Sequence, residues 1–138
     1  MKYALIGCGR ISPNHIAAAQ NNELELVAIC DIVPACMKDK TLKFKLDVGV
    51  KQYVDYREMV EKEKPELVAI CTESGEHAKI ALFCIEHGCN CIIEKPIALS
   101  IADADAIIAA SITHHVKVCA CHQNRFNKSV QIIREAID

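Results

Sequence analysis

The sequence predicts an α/β domain built on a doubly wound parallel sheet. Short apolar runs alternate with longer helical patterns about six times along the chain. The apolar runs are continuous, as strands covered on both faces require. The chain has 138 residues, which suits one domain in the common range of roughly 100–150. Nothing in it marks a second domain, a solenoid repeat or a low-complexity linker.

In chain order, Lys2-Tyr3-Ala4-Leu5-Ile6 reads as the first strand. A helix over 13–20 follows, with Ser12 as N-cap and Pro13 in the first turn, where the N–H that proline lacks has no helical partner anyway. Residues 24–30 form a second strand, and 34–44 a helix of mixed pattern closed by Gly49. A short strand over 51–54 leads to Asp55, which caps a helix over 56–63. Residues 67–71 are the fourth strand. The helix over 76–87 ends at Gly88, a residue suited to a left-handed C-cap. After a fifth strand over 91–93, Ser100 caps a helix over 101–112 whose first turns carry Asp103 and Asp105 against the positive end of the dipole. A sixth strand over 116–121 and a helix over 129–136 complete the pattern.

Hydrophobic residues make up 51% and charged residues 25%, a globular composition and not a disordered one. With no Trp and only 4% aromatics, aliphatic packing must dominate the core. The net charge of −2 argues against a nucleic-acid domain, which carries a basic face. No apolar run approaches the ~18 residues of a membrane span. Gly7 ends the first apolar run short of the ~7–15 residues of a signal-peptide core, so the chain reads as cytoplasmic. Its nine cysteines then read as reduced thiols, most of them inside apolar runs where a thiol acts as a small hydrophobe. Cys89 with Cys91, and Cys119 with Cys121, each share a strand face. Were the two strands neighbours, four thiols could approach a metal. The C-x-C spacing is not that of a usual zinc pair, and no metal site is expected.

The chemistry sits at the strand ends. Gly7-Cys8-Gly9-Arg10-Ile11-Ser12 lies between the first strand and the first helix. A dinucleotide pyrophosphate needs such a tight turn, a close backbone approach and a helix N-terminus aimed at it. Ser12 stands where the pattern has a third small residue. Asp31 ends the second strand 24 positions beyond Gly7, near the roughly 20 expected of the ribose-binding acid. A carboxylate there accepts from both ribose hydroxyls and repels a 2′-phosphate. Ile32-Val33 offers no arginine to such a phosphate, so NAD is favoured over NADP. Asp31 also suits a cap before Pro34.

Thr72 and Ser74 follow the fourth strand, where open α/β sheets bind ligands, or serve as helix caps. His77 either faces the nicotinamide side or is solvated. In Glu94-Lys95-Pro96, the proline holds Lys95 extended at the strand end. A lysine so placed can take a substrate hydroxyl proton, with partial burial lowering its pKa; the plainer alternative is a surface pair with Glu94. His122-Gln123-Asn124-Arg125-Phe126 makes a dense polar edge in which Arg125 can bind an anionic substrate group.

These motifs together resemble the Gfo/Idh/MocA oxidoreductases, over nearly the whole chain. Residues 71–77 and 123–127 look most like the nucleotide-sugar dehydrogenases, which oxidise a C3 hydroxyl of a UDP-N-acetylhexosaminuronate with NAD. Glu73 departs from the proline common in the family. The resemblance implies a Rossmann domain over 1–121, and a segment, 122–138, leading to a substrate domain that this chain lacks. It implies Lys95 as the catalytic lysine, in contact with cofactor and substrate. Gly7, Gly9, Arg10, Ile11, Asp31, Thr72, Ser74, His77, Glu94 and Gln123 would line the NAD, and Asn124 and Arg125 would approach substrate. The implied partner is a small sugar or nucleotide sugar, with no nucleic acid or membrane, in a full-length homo-oligomer. The fragment alone would bind NAD without turning over sugar. A non-catalytic dinucleotide-sensing module would use the same fold without needing Lys95. A dehydrogenase of free sugars or cyclitols would share every motif.

Overall fold

Tyr3 and Leu5 face one side of the sheet and Ala4 and Ile6 the other, and all four are buried. That double burial is why the first strand reads as a continuous apolar run. In the computed structural model, which describes residues 1–137, six parallel strands form one sheet in the order β3-β2-β1-β4-β5-β6. They are β1 Lys2–Ile6, β2 Glu25–Cys30, β3 Lys51–Tyr53, β4 Leu67–Ile70, β5 Asn90–Glu94 and β6 Val118–Cys121. The helices are α1 Ser12–Asn21, α2 Pro34–Phe44, α3 Tyr56–Glu63, α4 His77–Glu86, α5 Ile101–Thr113 and α6 Lys128–Ile137. Asp138, the last residue of the expected 122–138 segment, lies outside the described residues.

Two cores sandwich the sheet. Ile16 and Ala19 of α1 and Met37 of α2 cover the face that carries Tyr3, Leu5, Ile29 and Ala69. Helices α3, α4 and α5 cover the other, through Met59, Val60, Ile80, Ile85 and Ile107. The order reverses between β1 and β4, and the carboxyl ends of these neighbours flank a crevice, the place where such sheets bind ligands. No helix among the described residues is long and apolar enough to cross a membrane.

Several local expectations need correction. Ser12 does not cap α1; Ile11 holds that position, and the Ser12 hydroxyl donates to the Gly9 carbonyl at 2.7 Å. Gly49 does not close α2. Lys45 does, in the left-handed region at φ 48°, and Lys64 closes α3 in the same way. The sixth strand is shorter than expected, because a turn in which Val116 N–H donates to the Ser111 carbonyl precedes it. A 3₁₀ turn, Ser74–Glu76, precedes α4. Asp55 and Ser100 cap α3 and α5 as expected, accepting from Arg57 N–H and Asp103 N–H. Gly88 follows α4 at φ 78°.

β5 and β6 are neighbours, but their register sets Cys91 beside Val118 and Cys119 beside Ile92. Cys91 and Cys119 therefore face opposite sides of the sheet, and the four-thiol cluster does not form. All nine thiols are free and six are buried. Burial pushes Cys89 up to about 12, so it packs as a neutral side chain.

On α5, Ile107 is fully buried whereas Ile108 is 54% exposed. Ile107→Ala is expected to destabilise the chain by about 2–5 kcal/mol, and Ile108→Ala by no more than about 1 kcal/mol, in urea unfolding monitored by circular dichroism.

Candidate cofactor and catalytic site

The crevice is built around a glycine that cannot be replaced. Gly7 adopts φ +94°, and a Cβ added to it would lie 2.5 Å from the Cys71 carbonyl carbon. Its N–H donates to the Cys30 carbonyl at 2.8 Å, so the turn after β1 is locked to β2 and pressed against the end of β4. A Cβ at Gly9, by contrast, would meet nothing within 4 Å, so its backbone faces open space. Helix α1 starts directly beyond; Pro13 has no N–H and Asn14 N–H donates to the Ile11 carbonyl at 3.0 Å, so what this end offers an anion is chiefly the positive end of the helix dipole.

Asp31 closes the other side. Its Oδ2 accepts from Cys8 N–H at 2.7 Å and its Oδ1 from Val33 N–H at 2.8 Å. Each oxygen keeps a lone pair for a further donor such as a ribose hydroxyl. Gly7, Gly9, Asp31, Thr72, Val54 and Tyr56 are among the residues lining a cleft of about 490 Å³. The Tyr56 hydroxyl is buried there without a hydrogen-bond partner among the described residues, and burial raises its pKa. An unpaired polar group in a cleft with an open glycine face and a carboxylate rim fits a ribose-containing dinucleotide.

Other expected residues sit outside that cleft. Arg10 is exposed beside it, Ile11 packs into the α1 face of the core, and Ser74 opens the 3₁₀ turn. His77 is neither solvated nor a free ligand group. It is 1% exposed, with Nδ1 2.7 Å from the Pro96 carbonyl and Nε2 3.1 Å from the Thr72 carbonyl. Since both ring nitrogens face protein carbonyls, His77 braces the loop after β4 against the loop after β5. Gln123, Asn124 and Arg125 are exposed in a 3₁₀ turn, Gln123–Phe126, and among the described residues none of them lines the cleft.

Glu94 and Lys95 separate sharply. Glu94 is 6% exposed and pairs with His15 Nε2 at 2.8 Å, not with the Lys95 ammonium. Its other oxygen accepts from Lys95 N–H at 3.2 Å. Burial pushes the Glu94 carboxyl up, but hydrogen bonds from His15, the Cys121 thiol and Lys95 N–H outweigh it and leave the group below its ordinary 4.5. Lys95 itself is exposed at the end of β5, next to the end of β4 that lines the cleft, so the expected partial burial is not supplied by the described residues. The reading of the sequence missed His15. The signal was present: Ser12, His15, Ile16 and Ala19 are the buried stripe of α1, and a histidine in such a stripe needs a partner.

A sequence model of the Gfo/Idh/MocA group, an oxidoreductase family with an NAD-binding Rossmann fold, matches residues 1–122. The chain belongs to this family. The Gfo/Idh/MocA chain is 27% identical over 139 residues to a myo-inositol 2-dehydrogenase of Thermotoga maritima, covering 100% of this chain and 41% of that protein. It is 30% identical to a D-apiose dehydrogenase of Paraburkholderia graminis, covering 99% of this chain and 36% of that one. Among solved structures, the WlbA dehydrogenase of Bordetella pertussis, in complex with NADH and UDP-GlcNAcA, superposes with a TM-score of 0.89 at 30% identity, over 99% of this chain and 42% of that chain. The Gfo/Idh/MocA chain thus spans about two-fifths of the length of these relatives, and it is their NAD-binding Rossmann part.

Because the folded Glu94 carboxyl is the stronger acid, its pairing stabilises the fold above pH 4.5 and is lost as the pH falls through its lower folded value. Glu94→Gln should therefore be less stable than the parent at neutral pH and lose less stability on acidification below pH 4.5, measured by thermal melts in metal-free buffer. Parallel acid limbs in the two chains would contradict the assignment.

Proposed function

We propose that this chain is the cofactor half of a dehydrogenase that oxidises a hydroxyl of a sugar or nucleotide sugar, C3 of a UDP-N-acetylhexosaminuronate in the manner of UDP-N-acetyl-2-amino-2-deoxyglucuronate dehydrogenase. Two WlbA structures with TM-scores of 0.89, both in complex with NADH and UDP-GlcNAcA, support the nucleotide-sugar reading. The observation that carries the reading is Lys95: among the described residues no hydrogen bond or ion pair engages its ammonium, while its backbone is held on both sides.

Gly7 and Gly9 admit the pyrophosphate to the N-terminus of α1, Asp31 takes the adenosine ribose, and Thr72 lines the same cleft. NAD supplies the acceptor for the hydride that the carbinol carbon loses. Lys95, in its neutral form, accepts the hydroxyl proton as that carbon–hydrogen bond breaks. Asn124 and Arg125 reach toward substrate from the 3₁₀ turn after β6. Residues 1–121 form the cofactor half and 122–138 lead to a substrate domain. Phe126, Ile133 and Ile137 support that division, because they expose apolar surface on this segment. The chain alone binds NAD and turns over no sugar. A cyclitol or free-sugar substrate is the second reading, favoured by the inositol and apiose dehydrogenases among the relatives. Assay of the full-length protein with UDP-GlcNAcA and with myo-inositol separates the two.

Lys95→Ala in the full-length protein should lower kcat by roughly 10²–10⁴-fold while leaving NAD affinity nearly unchanged. A variant as active as the parent would assign the proton to another base, and absence of turnover in both would favour a dinucleotide-sensing module. Asp31→Asn should weaken NAD binding by about 10–100-fold and narrow the discrimination against NADP, measured by calorimetric titration of each. Undiminished NAD affinity would remove Asp31 from the site.

A further inference from the structure

Behind Lys95, on the α1 face of the sheet, three metal-ligating groups of different chemistry converge. A ring nitrogen of His15, a carboxylate oxygen of Glu94 and the Sγ of Cys121 lie within 4.8 Å of one another. They come from three separate elements, α1, β5 and the end of β6. The β5–β6 register sets Glu94 directly beside Cys121, and α1 crosses above both. This is not a surface acidic cluster, because His15 and Glu94 are buried and Cys121 is partly buried. Cys121, at the rim, opens the group toward solvent.

We propose that His15, Glu94 and Cys121 form a binding site for a borderline-soft divalent cation of the zinc class. Nitrogen, oxygen and sulfur donors in one cluster are the set that zinc takes, whereas magnesium and calcium seek oxygen alone. Ligand atoms around a tetrahedral zinc sit about 3.3–3.7 Å apart, from metal–ligand bonds of about 2.0–2.3 Å. His15 Nε2 and Glu94 Oε1, now 2.8 Å apart, would part by roughly half an ångström to admit the ion, which side-chain rotation supplies. The charges also balance. A dication with one carboxylate, one thiolate and a neutral imidazole is a net-neutral unit, the kind a buried position tolerates. On binding, the Cys121 sulfur–hydrogen bond is exchanged for a sulfur–metal bond, and the proton passes to solvent. Three protein ligands leave the fourth position of the ion open. The site is distinct from the dinucleotide cleft, since none of the three residues lines it. It does not depend on the substrate assignment above.

The test uses the chain held reduced by a non-thiol reductant and stripped with chelator. Calorimetric titration with zinc chloride should show one ion per chain. Cobalt(II) should give a thiolate-to-metal charge-transfer band. Cys121→Ser should weaken zinc binding by more than the ~10–100-fold that loss of a supporting group costs, and Cys119→Ser, two residues away and exposed, should leave it unchanged. Differential alkylation of the native sequence decides the matter even if a variant folds poorly: zinc should shield Cys121 and leave Cys119 reactive. Absence of stoichiometric uptake, equal uptake by Cys121→Ser, or shielding of Cys119 in place of Cys121 would each overturn the proposal.

Discussion

The structure turns on one close approach, that of the Gly7 backbone to the end of β4. Only a residue without a Cβ can stand 2.5 Å, in Cβ terms, from the Cys71 carbonyl carbon. Because it does, Cys71 N–H reaches the Ile6 carbonyl at 2.7 Å and Gly7 N–H reaches Cys30 at 2.8 Å, so three strands end together. Asp31 then takes Cys8 N–H, a charge-assisted bond worth about 1.5–3 kcal/mol, and fixes the turn to the loop after β2. The cleft is what remains between these fixed ends. Gly9 lines it with nothing within 4 Å of where a Cβ would stand, so that side of the cleft is open backbone.

The same logic of tied loops runs on to β5. His15 holds Glu94 from above, and Lys95 N–H returns to the same carboxylate. His77 holds the Pro96 carbonyl and, with its other nitrogen, the Thr72 carbonyl. The residue between the two ties is Lys95. Its backbone is braced from both sides, while among the described residues no hydrogen bond or ion pair engages its side-chain nitrogen, which combines a defined origin with an unpaired head. A lysine already paired with Glu94 would lack that freedom.

What could be read from the sequence was what depends on near neighbours. Gly7-Cys8-Gly9 lies between a strand and a helix, and Asp31 ends the next strand, so both could be placed without coordinates. The alternating pattern places all six strands to within about two residues. The pairing of His15 with Glu94 escaped notice because 79 positions separate them and neither carries a local mark of the other. The burial of His77 depended on where Pro96 lies. The helix end at Phe44 is legible, but the left-handed Lys45 and Lys64 carry no glycine signal, so the closing role falls to Gly49 in the sequence and to Lys45 in the structure. The four-cysteine idea failed on register alone, since a shift of one residue exchanges the faces.

The two halves of the sheet differ in a way that bears on Lys95. β1 and β4 are interior and nearly all buried, whereas β6 is an edge strand with Cys119 exposed. Beyond it, α6 touches mainly the 3₁₀ turn before it, and Val130, Ile133 and Ile137, at i, i+3 and i+7, share one uncovered apolar face. Lys95 therefore stands at a boundary. On one side lies a sheet whose strand ends are locked by backbone contacts, and on the other a segment whose apolar stripe stays largely exposed among the described residues. Cofactor grip needs only the first. On the function proposed above, substrate oxidation would need the lysine enclosed from the second side as well, because a proton acceptor open to water has no reason to prefer one hydroxyl over the solvent.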